Sequence, residues 1–173
     1  MNDLRYPLAA RLLHWIMAAL ILTMIGIGLA MIDSLATWRL EGMKVHQVGR
    51  VSVLILAILR LAFRLTYKAP PLPKELPSFQ ARIAHGSHML LYALMFAVPL
   101  AGWLMQSAAG LPIALPGGLI LPSLLDVDLG AYGVLRICHR LLAWSLLGLI
   151  LLHIAGALHH AMVRRDGLLK RMT

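Results

Sequence analysis

Residues 134–163, VLRICHRLLAWSLLGLILLHIAGALHHAMV, form an apolar run interrupted chiefly by arginines and histidines. A helix that crosses a bilayer needs ~20 mostly apolar residues, so this stretch is long enough to span. Two of its histidines, His139 and His153, lie 14 residues apart. At ~3.6 residues per turn that is nearly four full turns, so both rings face the same way. At ~1.5 Å per residue they stand ~21 Å apart along the axis. Metal-binding side chains inside a span are costly and mark function. One helix therefore presents two stacked positions, too far apart to serve one ion.

Three further stretches have the same character: 8–32, 46–66 and 83–106. The chain has 173 residues, of which 60% are hydrophobic and 13% charged. Soluble domains carry about 45–50% apolar and about 25% charged residues, so a water-facing globule is excluded. Disorder is excluded as well, since disordered chains are poor in apolar residues. The expected fold is an all-α integral membrane four-helix bundle formed by a single domain, 1–173. The first apolar stretch lacks a small-residue cleavage site and reads as a retained helix. Residues 69–77, APPLPKELP, cannot be helical because of their prolines. The other long connection, 107–133, holds Pro112, Pro116, Pro122 and Gly117-Gly118. It is apolar from Leu111 to Leu125, which suits an interfacial segment or a cap on the bundle.

The formal charge is +9, and the charges fall between the apolar runs, which reads as membrane orientation rather than nucleic-acid binding. Arg60, Arg64, Lys68, Lys74 and Arg82 surround the second loop, and Arg164, Arg165, Lys170 and Arg171 follow the last span. Residues 107–135 hold no Lys or Arg. The positive-inside rule then places both termini in the cytoplasm. Cys138 is the only cysteine, so no intrachain disulfide can form.

All eight histidines fall in or beside a span. The last span descends from outside to inside, so His139 lies near the outer face and His153 deeper. By height, His46 matches His139 and His14 matches His153. Paired neutral imidazoles from different helices of an apolar bundle are what a bis-histidine haem iron requires. Gly49 and Gly156, each three residues after a ligand candidate, leave room on its face. Position 135 is Leu, so the Cys-x-x-Cys-His attachment motif is absent and the two haems should be non-covalent b-type. Zinc is the weaker alternative, because no Cys or carboxylate cluster completes a tetrahedral site. His85 and His88, with Tyr92 one turn further along, are open to the inner haem, a quinone head group or propionate contacts, His160 to a place below the inner haem, and these four histidines, His159 included, to interfacial non-ligand roles.

Several motifs resemble the prokaryotic cytochrome b561 family nearly end to end. They are His14-Trp15, His46-Gln47-Val48-Gly49, Arg60-Leu61-Ala62-Phe63-Arg64, His85-Gly86-Ser87-His88, Leu91-Tyr92 and Pro99 to Met105. The end carries His139, His153, Leu158-His159-His160 and Arg164-Arg165-Asp166-Gly167 with Arg171-Met172. The resemblance implies four helices and two b haems, ligated by histidines of the first, second and fourth spans. It also implies a bacterial cytoplasmic (inner) membrane protein that oxidises superoxide to oxygen and reduces ubiquinone, without nucleic acid. Arg50, Arg136 and Arg140 suit haem propionates, Arg39 a solvated loop charge. Lys44 suits the focusing of an anionic donor, since a positive cleft raises encounter rates. Two alternatives stand beside this: a membrane-anchor cytochrome subunit serving a separate dehydrogenase, and a non-redox histidine-rich metal-binding protein. The physiological donor and the oligomeric state, including a homo-oligomer, are open from sequence.

Overall fold

The computed structural model describes residues 5–32, 35–67 and 77–172. The proline-rich segment expected to be non-helical lies outside the described residues except for Pro77, which precedes a helix. Four long helices make up the bundle: α1 (Leu8–Ile32), α2 (Trp38–Thr66), α3 (Ser78–Ala108) and α4 (Leu129–His159). A π-helical turn, His160–Arg164, extends α4, and a short 3-10 turn, Leu169–Arg171, follows. α2 packs against both α1 and α3, and α3 packs along α4.

Three helical stretches are long and apolar enough to cross a membrane: Leu8–Ile32, Ser78–Ala108 and Leu129–Arg164. α2 is long enough but carries Arg50, Arg60 and Arg64 along its length, which dilute its apolar character. Arg50 is buried inside the bundle, so its charge does not face lipid. The shared core is built from Met17, Ile21 and Met24 of α1, Val53 and Ala57 of α2, Leu94 and Met95 of α3, and Leu146 of α4. Large apolar side chains such as Leu12, Ile55, Leu90 and Leu152 point outward, as lipid-facing residues must.

The helix boundaries correct three expectations. α2 starts at Trp38 rather than 46, so Arg39 and Lys44 are helical and not loop residues. Residues 38–45 include the helix formers Arg39, Leu40, Glu41, Met43 and Lys44, with a Glu41–Lys44 ion pair one turn apart, and hydropathy alone does not register them. α3 starts at Ser78 rather than 83. α4 starts at Leu129 rather than 134, where the Asp128 carboxylate accepts a hydrogen bond from the Ala131 N–H at 3.0 Å.

The apolar connection between α3 and α4 is a cap. Ile113–Ala114 pairs antiparallel with Ile120–Leu121, and Gly117 and Gly118 close the turn at φ 84° and 82°, where side chains are strained. Ile113 is buried against the bundle, the strand that carries it contacts α2, and the Trp103 indole N–H donates to the Pro122 carbonyl at 3.0 Å. At the opposite end the two termini meet: the Tyr6 N–H donates to the Arg171 carbonyl at 3.0 Å. The bundle thus has a hairpin end and a terminal end.

Candidate functional site

The antiparallel helices bring the histidines together in two groups. Toward the hairpin end, His46 of α2 faces His139 of α4 with ring centroids 6.5 Å apart and planes at 84°. Toward the terminal end, His14 of α1 faces His153 of α4 at 6.3 Å and 69°. All four rings are half-buried. Two imidazoles sharing one metal at ~2 Å from each nitrogen would place their centroids roughly 6 Å apart. Both separations fit that requirement. The periodicity of α4 explains why one helix can supply a ring to each group.

Contacts around the hairpin-end pair fix its chemistry. His139 Nδ1 lies 3.1 Å from the Val98 carbonyl of α3. A carbonyl only accepts, so Nδ1 carries the proton and Nε2 keeps its lone pair for a metal. A Cβ at Gly102 would lie 2.8 Å from Arg50 Nη1 and 3.2 Å from His139 Cε1. Gly102 is therefore required by close approach. Arg50 is 7% exposed, and its Nη2 has no hydrogen-bond partner among the described residues. Burying a guanidinium without an acceptor is costly, so the position calls for an anionic group such as a carboxylate of the ligand. Arg136 and Arg140 flank His139 on α4 and are exposed.

Glycine surroundings differ from the sequence expectation at one position. Gly156 opens on free space, with nothing within 4 Å of an added Cβ. Gly49 does not: its open side is filled by Met24, whose sulfur would sit within van der Waals overlap of an added Cβ. Met24 is a flexible thioether, which fills gaps and also vacates them at small cost. A groove of ≈470 Å³ runs beside these two residues between α1 and α2, with Leu20, Val48 and Lys44 also on its wall. Lys44 is exposed, and its ammonium donates to Glu41 at 2.7 Å.

The terminal-end group has a third member. His88 of α3 lies 5.4 Å from His153, nearer than His14, and its edge-on contact is shorter than a shared metal requires. One turn on, Tyr92 accepts a hydrogen bond from Arg60 Nε at 3.2 Å. Arg60 is within electrostatic reach of His14, His88 and His153, as Arg50 is of His46 and His139. Among the described residues no cluster of three or more His, Cys, Asp or Glu is disposed to hold one metal ion. Sequence reasoning missed Gly102, the Val98 carbonyl and the Arg60–Tyr92 bond. All three are contacts between helices, to which periodicity along one helix is blind.

The donor set therefore suits haem: paired imidazoles with a free Nε2 fixed at His139, a glycine at the ring edge, and a buried cation lacking an anion. Known proteins point the same way. The chain is 31% identical over 172 residues to "Cytochrome b561 homolog 2" of Escherichia coli (strain K12), covering 97% of this chain and 90% of that protein. It is 31% identical over 129 residues to "Probable superoxide oxidase CybB" of Yersinia pestis, covering 74% of this chain and 72% of that one. Residues 5–173 match the family model described as prokaryotic cytochrome b561, and the chain belongs to that family of haem-binding, electron-transferring membrane proteins.

Proposed function

We propose that this cytochrome oxidises superoxide to oxygen and reduces ubiquinone, using two non-covalent b-type haems. His46 and His139 hold the haem toward the hairpin end, and His14 and His153 hold the other. The reaction balances when two superoxide anions give two oxygen molecules and two electrons, which with two protons convert ubiquinone to ubiquinol. Haem supplies a one-electron carrier whose potential follows its axial ligands, burial and nearby charge.

The protein's own residues divide the remaining work. The Val98 carbonyl orients His139, and Gly102 keeps the edge of that ring clear. Arg50, with the exposed Arg136 and Arg140, neutralises propionates. Lys44 draws the anionic donor toward the hairpin end, where it stands beside the α1–α2 groove. Its pairing with Glu41 weakens that field at long range and leaves the lysine's position fixed. By the positive-inside rule, the basic residues around the second loop and the last turn favour a cytoplasmic terminal end and an outward hairpin end, in the inner membrane of a bacterium.

The observation that carries this reading is the pair of imidazole couples at opposite ends of one bundle, 6.5 and 6.3 Å between rings. The test is a dithionite-reduced minus oxidised spectrum of the purified protein with haem quantified per chain, followed by superoxide-driven quinone reduction. Two haems per chain are expected, with activity in the absence of any partner subunit. His46→Ala should leave one haem and abolish the reaction. A colourless protein, one haem in the parent chain, or a fully active His46→Ala variant overturns the proposal.

A further inference from the structure

The C-terminal segment makes a set of contacts that the haem ligands do not explain. After the π-helical turn, Arg165 at φ 53° and Gly167 at φ 75° reverse the chain back toward the bundle. Asp166, in the bend, uses both carboxylate oxygens: Oδ2 accepts from His160 Nδ1, and Oδ1 accepts from the Leu168 N–H at 3.1 Å. Arg164 donates to the Gln80 side chain of α3. The segment then crosses to α1. The Arg171 carbonyl accepts from the Tyr6 N–H at 3.0 Å, and the Met172 carbonyl accepts from the Trp15 indole N–H at 2.8 Å. The Trp15 ring stands edge-on to His14, centroids 5.3 Å apart at 68°. His14 in turn faces His153.

We infer that residues 166–172 form a strap that positions His14 through Trp15, with the Asp166–His160 contact as its clasp. The inference rests on His14 and His153 holding a haem at the terminal end. Each link is a specific contact from one element to the next: α4 to Asp166, the strap to Trp15, and Trp15 to His14. An imidazole on the first turns of a helix is free to rotate unless something packs against its ring. The indole supplies that surface, and the Met172 carbonyl fixes the indole. Burial alone would raise the Asp166 carboxyl, but hydrogen bonds from His160 and the Leu168 N–H, with the charges of His160 and Arg164, outweigh it and hold it below its ordinary 3.8. The Asp166 side of the clasp is therefore a carboxylate at neutral pH. The His159 ring stands edge-on to His160 of the clasp, centroids 6.0 Å apart at 82°.

The test uses the full chain, purified with haem, as three proteins: the parent, Asp166→Ala and Trp15→Phe. Trp15→Phe keeps a ring against His14 and removes only the donor to Met172. Amide exchange is read at Tyr6, and the spin state of each haem is read by electron paramagnetic resonance. In Asp166→Ala the Tyr6 amide should exchange at least 10-fold faster, and part of the terminal-end haem should turn high-spin. Trp15→Phe should give a smaller high-spin fraction in the same haem. In both variants the hairpin-end haem should stay as in the parent. Unchanged Tyr6 exchange in Asp166→Ala, unchanged spin states in both variants, or an equal disturbance of both haems overturns the strap. A parent chain lacking the terminal-end haem instead overturns the two-haem reading, and the exchange rate at Tyr6 still decides whether the clasp holds the segment.

Discussion

The two histidine groups share the same side-chain chemistry and differ in their surroundings. At the hairpin end one side of the pair is closely packed: a Cβ at Gly102 would meet Arg50 and His139, and the cap buries Ile113 over the helix ends. Arg50 and Gln106 are both buried there, at 7% and 5% exposure. At the terminal end no cation among the described residues is as deeply buried, although Arg11, one turn before His14, has a buried Nε without a partner. Arg60 is bonded to Tyr92 instead, His88 crowds His153, and Gly156 opens on space. The first site is shaped by packing and an unmet charge, the second by a polar network and a strap. Burial and charge set haem potentials, so on the proposed assignment of one haem to each couple the two should differ in potential although their ligands are alike.

The largest effect that tests this contrast is expected at Gly102. Gly102→Leu forces a side chain into Arg50 and His139, and overpacking of that kind costs about 1–3 kcal/mol. The variant should lose the hairpin-end haem and keep the other, halving haem per chain. Gly156→Ala is the counterpart: it meets no protein atom and alanine is the better helix former, so the haem-free chain should melt at or slightly above the parent. Lower occupancy of the terminal-end haem in Gly156→Ala would show that its open space is where the macrocycle lies. Haem content and thermal melts of both variants check the pair.

Next comes Arg50→Met. Removing a buried cation that lacks an acceptor should stabilise the haem-free chain by about 1–4 kcal/mol, because its desolvation is no longer unmet. With haem bound the sign reverses for function. A positive charge several Å away favours the reduced state by ~2–3 kcal/mol at an effective dielectric of ~20, so its loss should lower the hairpin-end potential by ~100 mV. Redox titration should show that haem moving and the other still.

How much of this was legible beforehand depended on whether a feature repeats along one helix. α1 spans Leu8–Ile32 as expected, because its apolar run ends where the helix does. The start of α2 was missed because Trp38 to Val45 is mixed in polarity, and a hydropathy reading sees only where apolar residues cluster. The start of α4 was missed because Gly130 and Gly133 look like loop residues, while the Asp128 cap that starts the helix is a local hydrogen bond. The pairing of His14 with His153 and His46 with His139 was legible, since a 14-residue interval and antiparallel helices fix both face and height. Gly102, Val98 and Met24 were not. Their roles arise where α3 meets α4 and α1 meets α2, and no single-helix pattern records which turn of one helix abuts which turn of another. The basic C-terminal residues were read as orientation and Arg164-Arg165-Asp166-Gly167 as a family motif, and neither reading shows that Asp166 meets His160.

Tyr92→Phe probes the polar network of the terminal end more gently. It removes the acceptor for Arg60 Nε and leaves the ring, at a cost of about 1.5–3 kcal/mol for a hydrogen bond to a charged donor. Arg60 is then freed near three histidines, so the terminal-end potential should move while the hairpin-end potential does not. A redox titration that finds both haems moving together would mean the two regions are coupled rather than separately built.

Lys44→Ala should have the smallest effect on the fold and a selective one on rate. The lysine is exposed and its pair with Glu41 is a surface contact one turn apart, worth about 0–1 kcal/mol. Melting and haem content should therefore match the parent. Superoxide is a small anion, and one cation beside the α1–α2 groove raises its local concentration through a field that salt screens with a length of ~8 Å at physiological ionic strength. The rate of superoxide-dependent reduction should fall several-fold at low salt, and the difference from the parent should shrink as salt is added. Glu41→Gln should do the reverse, because it frees the same cation from its partner. If both variants track the parent at every ionic strength, the hairpin end admits its donor without electrostatic guidance from this lysine. Arg136 and Arg140, exposed on either side of His139, would then be the cations to replace next.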